Sequence, residues 1–119
     1  MQKVTFAEGS QLKELGAAAF MQCTNLKAIQ LPEALAQIGE SCFQKCGLTG
    51  ITVPELVKKI ERYAFSACQG LKAAELPENL EVISEGCFQQ SGLTEIKLRN
   101  RVEAVGKGAF AECTSLQAV

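Results

Sequence analysis

The sequence predicts an α/β repeat fold: a right-handed solenoid of about five coils, each 22–23 residues long. Three observations predict it. Phe-x-x-Cys recurs at Phe20/Cys23, Phe43/Cys46, Phe65/Cys68 and Phe110/Cys113, and a fifth copy at Phe88 carries Ser91 in the cysteine slot. The phenylalanines are spaced alternately 23 and 22 residues apart. A pair of apolar residues two apart, mostly followed by proline, stands at one phase in every copy.

Each coil begins with that pair: Val4/Phe6, Ile29/Leu31, Ile51/Val53, Ala74/Leu76 and Ile96/Leu98. A spacing of two puts both side chains on one face of a strand. Ala74 is the weak rung. Successive strands should pair in parallel, forming a sheet on the concave side. Pro32, Pro54 and Pro77 follow and, lacking an N–H, end the strand. Arg99 replaces proline in the last full unit. A second apolar pair, three apart, comes next at Leu35/Ile38, Val57/Ile60, Leu80/Ile83 and Val102/Val105. Gly39 or Gly106 then allows a bend. Cys42, Phe43 and Cys46 fall at spacings of three and four, which predicts a short helical turn facing inward. The convex side is therefore expected to hold short helical turns or extended segments. Gly47, Gly70 and Gly92 close the units, where a positive φ would suit glycine.

These phases divide one domain, 1–119, into a partial unit at 4–25, full units at 26–47, 48–70, 71–92 and 93–115, and a stub at 116–119. The first unit carries two extra residues near Gly9-Ser10. No unit buries its apolar stripe alone; stacking makes the core. The chain opens and closes inside a repeat, and reads as an excised piece of a longer protein.

The frame LxxIxLPxxLxxIGxxxFxxC at Leu26–Cys46, repeated from Leu48, Leu71 and Leu93, resembles the BspA-like leucine-rich repeat proteins of bacterial surfaces and some protists. The resemblance departs at Arg99 and Ser91. It implies a leucine-rich-repeat solenoid and a role in adhesion or protein recognition, at the cell surface or secreted, with a host or matrix protein as partner. It brings no catalytic residue.

Composition narrows the function classes. Twelve basic residues balance 13 acidic ones. Nucleic-acid binding and electrostatic membrane docking both need a basic excess, so both are disfavoured. No apolar run approaches the roughly 20 residues of a membrane span. No apolar h-region follows Met1, which in an excised piece says little about location. The chain has no His, Asp or Trp. Nucleophile pairs built on His and Asp-based calcium loops are therefore absent. The glutamates occupy solvent-type slots. No enzyme activity and no cofactor are expected.

Six cysteines fall into two repeat slots, Cys23/Cys46/Cys68/Cys113 and Cys42/Cys87. They read as stacked core positions filled by small buried thiols. Adjacent rungs are close enough for a disulfide on Cα distance alone. Ser91, however, fills the slot without a partner, which favours packing. No CxxC pair or histidine supplies the usual zinc spacing.

The residues alternating with the inward strand pairs form the candidate binding face. One row is Lys3, Ala28, Gly50, Ala73, Glu95 and Ala118; the other is Thr5, Gln30, Thr52, Glu75 and Lys97. Neither holds the Trp, Tyr or Arg that favours hot spots. Lys58, Lys59, Arg62, Tyr63, Arg99 and Arg101 read as a solvated outer surface. The alternative to recognition is a passive repeat segment, truncated or engineered, with no partner. Three structural expectations complete the reading. The phenylalanines form a continuous buried spine. Glu40, Arg62, Glu85 and Lys107, alternating in sign in one slot, form an ion-pair ladder. Apolar ends at Val4, Phe6, Leu12 and Leu15, and at Phe110 and Leu116, favour end-to-end self-association.

Overall fold

A computed structural model describes residues 3–117. Among the described residues nine short strands form three parallel sheets. On the first side of the coil, β1 (Lys3–Val4) pairs with β3 (Ala28–Ile29), and β5 (Gly50–Thr52) pairs with β7 (Ala73–Glu75). On the second side, β2 (Glu14–Leu15), β4 (Gln37–Ile38), β6 (Lys59–Ile60), β8 (Val82–Ile83) and β9 (Ala104–Val105) make one five-stranded ribbon in chain order. The register runs Leu15, Ile38, Ile60, Ile83, Val105, so the second apolar pair of each coil supplies the rung.

The longest sheet thus lies where the sequence predicts only an extended stretch. The first side is less regular. No strand pairing joins β3 to β5, and the coils meet there through the Thr49 N–H on the Lys27 carbonyl, 3.2 Å. Ala74 is half-buried, whereas Ile29, Ile51 and Ile96 are buried, as a shorter side chain in the same slot requires. Each proline, besides ending its strand, starts a turn: Leu35, Val57 and Leu80 donate to the carbonyls of Pro32, Pro54 and Pro77 at 3.1–3.2 Å. Arg99 keeps that turn, accepting from Val102 at 3.2 Å, and its Nε donates to the Leu76 carbonyl one coil back at 3.0 Å.

The third side corrects the expected helical turn, for no helix forms there. Its N–H groups alternate in direction. Phe20, Phe43, Phe65 and Phe88 each donate to the next coil, to the carbonyls of Cys42, Ala64, Cys87 and Ala109, all at 2.8 Å. The residues between them close local turns, as Gln44 does on Ser41 at 3.2 Å and Cys46 on Phe43 at 3.1 Å. An α-helix needs right-handed φ throughout and spends every N–H within itself. Here the positions two before and two after each phenylalanine have positive φ, as at Ser41 (57°), Lys45 (60°), Tyr63 (58°) and Ala67 (59°). Such residues cost of order 1 kcal/mol each. Hydrogen bonding to the neighbouring coil offsets that cost.

Glycine serves a different purpose from the predicted one. Gly47 and Gly92 do not have positive φ; a Cβ there would run into the carbonyls of Thr24 and Gln69 on the preceding coil. Close approach between coils, not backbone handedness, selects them. At the start of the chain the two extra residues are confirmed by register. From Val4 to Leu15 the chain takes eleven steps, against nine from the equivalent Ile29 to Ile38. The surplus is a turn at Glu8-Gly9, held by the Ser10 N–H on the Ala7 carbonyl at 3.0 Å.

The core follows the stack. Phe43, Phe65 and Phe88 are fully buried, and Phe20 and Phe110 flank them half-buried. Neighbouring rings are parallel within 5°, with centroids 5.3–5.6 Å apart. That separation, wider than a face-to-face sandwich, is the offset stacking that aromatic quadrupoles favour. The expected spine is present. Ala118 and Val119, which the sequence places on the last rung, lie outside the described residues.

Candidate binding face

In the strands of the first side, inward residues alternate with outward ones. Ile29, Leu31, Ile51, Val53, Leu76 and Ile96 are buried, while Thr5, Ala28, Gln30, Thr52, Ala73, Glu75, Glu95 and Lys97 are exposed and Gly50 is half-buried. Register stacks the outward residues: Lys3 on Ala28, Gly50 on Ala73, Thr52 on Glu75. Six of the nine sequence-named residues, Ala28, Gln30, Gly50, Thr52, Ala73 and Glu75, line one open trough of about 940 Å³. Thr5 lies outside its lining, Glu95 and Lys97 one coil beyond, and Ala118 outside the described residues.

The trough exists because the row on its axis is small. Ala28, Gly50 and Ala73 have at most a methyl group, so the floor stays low between Gln30, Thr52 and Glu75. Sequence reasoning named the floor and missed one wall, which is made by Pro54, Glu33 and Glu55. The repeated Pro-Glu dipeptide (Pro32-Glu33, Pro54-Glu55, Pro77-Glu78) carried that signal. It fixes a carboxylate just past each strand end. The last unit has Arg99-Asn100 instead, and a separate hollow lined by Lys97, Arg99 and Arg101 lies there.

Other chemistry-bearing groups are turned to packing. All six cysteines are free. Three thiols donate to the phenylalanine carbonyl one coil back: Cys46 to Phe20 at 2.8 Å, Cys68 to Phe43 and Cys113 to Phe88 at 3.0 Å. Burial pushes the Cys42 and Cys68 thiols up to about 11. Burial, with the neighbouring Cys68, pushes Cys46 up to about 12, and burial raises Cys87 as well. A thiol held protonated is a poor nucleophile.

The expected ion-pair ladder is reduced to one rung. Arg62 Nη2 and Glu40 Oε1 lie 3.4 Å apart, both more than half exposed. Glu85 accepts instead from the Tyr63 hydroxyl at 3.2 Å, and the Glu85 charge beside it raises the tyrosine pKa. The Tyr63 ring fills the space where a Cβ of Gly86 would project, which positions its hydroxyl over Glu85. Among the described residues Lys107 makes no ion pair.

Comparison with known proteins agrees with this geometry. A search of the curated proteins finds no match. A leucine-rich repeat protein from T. pallidum has a similar structure, with TM-score 0.90 and 30% identity over 96% of this chain and 56% of that one. A leucine-rich repeat protein from Bacteroides ovatus matches with TM-score 0.77 and 27% identity over 98% of this chain and 36% of that one. A leucine-rich cell surface protein from Faecalibacterium prausnitzii matches with TM-score 0.70 and 27% identity over 98% of this chain and 38% of that one. The chain thus spans little more than half of the first of these proteins and less of the others. The family model for the BspA type leucine-rich repeat region matches residues 1–117 in six copies, and with the ladder of coils described above it places this chain in the BspA-type leucine-rich repeat family.

Proposed function

We propose that the chain is a non-catalytic protein-recognition module of a surface or secreted protein, and that it binds through the trough on the first side. The observation that supports this most is the convergence of Ala28, Gln30, Gly50, Thr52, Ala73 and Glu75 on one solvent-open surface. A face of stacked coils with a low floor presents backbone-fixed side chains at little entropic cost to binding. Leucine-rich repeats generally serve as protein-interaction modules, and one structural neighbour is a cell surface protein. A host or matrix protein is the proposed partner. Self-association through the apolar rung at Phe110 and Leu116 belongs to the same proposal.

Capture of a phage-displayed random peptide library and of matrix proteins tests the reading, with the chain compared with its Ala73→Trp variant. The indole would fill the trough floor. Binders whose capture falls at least tenfold with Ala73→Trp are expected. If no binder depends on Ala73, the chain is a passive repeat segment. Protease treatment of intact source cells, followed by immunoblotting, tests surface exposure.

A further inference from the structure

The strand face is electrically lopsided. Glu33 and Glu55 stand on the Pro-Glu wall of the trough, and Glu75 rises from the second outward row. No lysine or arginine lines the trough. Among the described residues none of the three carboxylates has an ion-pair or hydrogen-bond partner within the chain, although the chain as a whole carries 12 basic residues to 13 acidic ones. The nearby cations flank the trough without lining it: Lys3 stands beside Ala28 one coil before it and Lys97 one coil beyond it. Lys27 and Lys72 precede β3 and β7 at the opposite edge, and Arg99 and Arg101 line the separate hollow.

A partner must therefore supply the missing positive charge, and the shape limits what can carry it. The trough is open and crosses β3, β5 and β7, with no aromatic side chain to hold a ring. Its walls leave room for backbone and slender side chains over Ala28, Gly50 and Ala73. Lys and Arg have such slender stems with the charge at the tip, so the stem can lie on the apolar floor while the head reaches a wall carboxylate. Complementary charge of this kind sets specificity and register more than raw affinity. Beyond β7 three cations, Lys97, Arg99 and Arg101, outnumber the one carboxylate of that hollow, Glu78, which would oppose a cationic segment extending further.

We infer that the trough takes an extended cationic peptide segment, its Lys or Arg side chains meeting Glu33, Glu55 and Glu75. This rests on the recognition reading above and names its partner class. The probe is a fluorescein-labelled nine-residue peptide of alternating Arg and Ala, with Gln replacing Arg in its neutral counterpart. Fluorescence anisotropy is measured with the full chain at 20 and 150 mM salt. One variant carries Glu33→Gln, Glu55→Gln and Glu75→Gln. A control removes three exposed carboxylates outside the trough: Glu8→Gln, Glu14→Gln and Glu103→Gln. All six side chains are exposed, and circular dichroism melts verify that both triple variants fold.

The Arg peptide should bind at least tenfold tighter than the Gln peptide. The trough variant should lose at least tenfold, and the control should stay within twofold. Equal losses in the two variants would show bulk charge attraction only and overturn the inference. So would equal binding of the two peptides. Library binders that depend on Ala73 but lack basic residues would sink this inference and leave the recognition reading standing; absence of Ala73-dependent binders would remove both.

Discussion

The Cys68 thiol donates a hydrogen bond to the Phe43 carbonyl of the preceding coil at 3.0 Å, and Cys46 and Cys113 repeat it on Phe20 and Phe88. The slot thus calls for a small donor as well as a small volume. Phe43 O also accepts the Cys46 N–H, so loss of the thiol leaves the carbonyl with one partner. Cys68→Ala should cost about 1 kcal/mol from the lost bond, and somewhat more from the void. Cys68→Ser, which keeps a small donor in the slot, should lose less in urea denaturation; Ser91 already fills the same slot, its hydroxyl 3.3 Å from the Cys113 thiol. A Cys68→Val protein as stable as wild type would reduce the slot to simple apolar filling.

Phe65 lies between Phe43 and Phe88 with both rings stacked on it. Truncation to alanine should destabilise the chain by about 3–5 kcal/mol. At the end of the spine Phe110 is half-buried and stacks on one neighbour, so Phe110→Ala should cost roughly half as much in proportion to the area it buries. Calorimetric melts of the two variants side by side check the ratio. A Phe65→Ala melting point within a degree or two of wild type would contradict a spine that bears on stability.

What the sequence revealed and what it hid differ in kind. Periodicity reports which side chains face inward, and Cys42, Phe43 and Cys46 are all buried as their spacing requires. It does not report where each N–H goes. A helix and a column of turns bury the same side chains. The choice between them is made by the neighbouring coil, whose carbonyls accept from Phe43 and Lys45. Positive φ at Lys45 and Ala67 had no sequence signal, since glycine holds the equivalent place in neither position. The second sheet was hidden for the same reason: Leu35 and Ile38, three apart, show only an extended stretch until the partners of Ile38 on the neighbouring coils are known. The binding rows were legible because strand alternation alone sets them. The wall at Glu33 and Glu55 was written in the Pro-Glu repeat and not recognised.

Three glycines in one loop slot should respond differently to alanine. A Cβ at Gly47 or Gly92 meets a carbonyl of the coil below, whereas at Gly70 the nearest atom, the Leu48 carbonyl oxygen, is 3.6 Å away. Gly47→Ala and Gly92→Ala should each lose about 1–3 kcal/mol from forced backbone displacement. Gly70→Ala should be neutral, or gain a few tenths of a kcal/mol by restricting the unfolded chain. Chemical denaturation of the three variants measures this. Equal effects at all three sites would mean that the coils do not approach as closely as described.

Alkaline pH should loosen the stack. The thiols of Cys42, Cys46 and Cys68 titrate from an ordinary 9.0 in the unfolded chain to about 11, 12 and 11 in the folded one. Above pH 9 the unfolded chain releases these protons and the folded chain retains them. Their contribution is complete below pH 9 and falls away as the pH climbs through 11 to 12. Alanine occupies the Cys42 slot at Ala64 and Ala109, so Cys42→Ala and Cys87→Ala are structurally mild. The unfolding free energy measured by chemical denaturation should fall more between pH 8 and 10.5 for wild type than for this double variant, by roughly 2 kcal/mol from Cys42 alone and further from Cys87, whose thiol is also raised by burial. Parallel curves for the two proteins would refute it.

The alternation of N–H groups on the third side has a mechanical meaning. The bonds from Phe20 to Cys42, Phe43 to Ala64, Phe65 to Cys87 and Phe88 to Ala109 link one coil to the next. A tension applied along the stack loads these links in series, so the weakest coil boundary yields first. Each coil that peels away releases 22–23 residues, about 75 Å of extended chain. The solenoid therefore lengthens in steps under load, and a partner seated across β3, β5 and β7 clamps the boundaries it spans while the free coils extend.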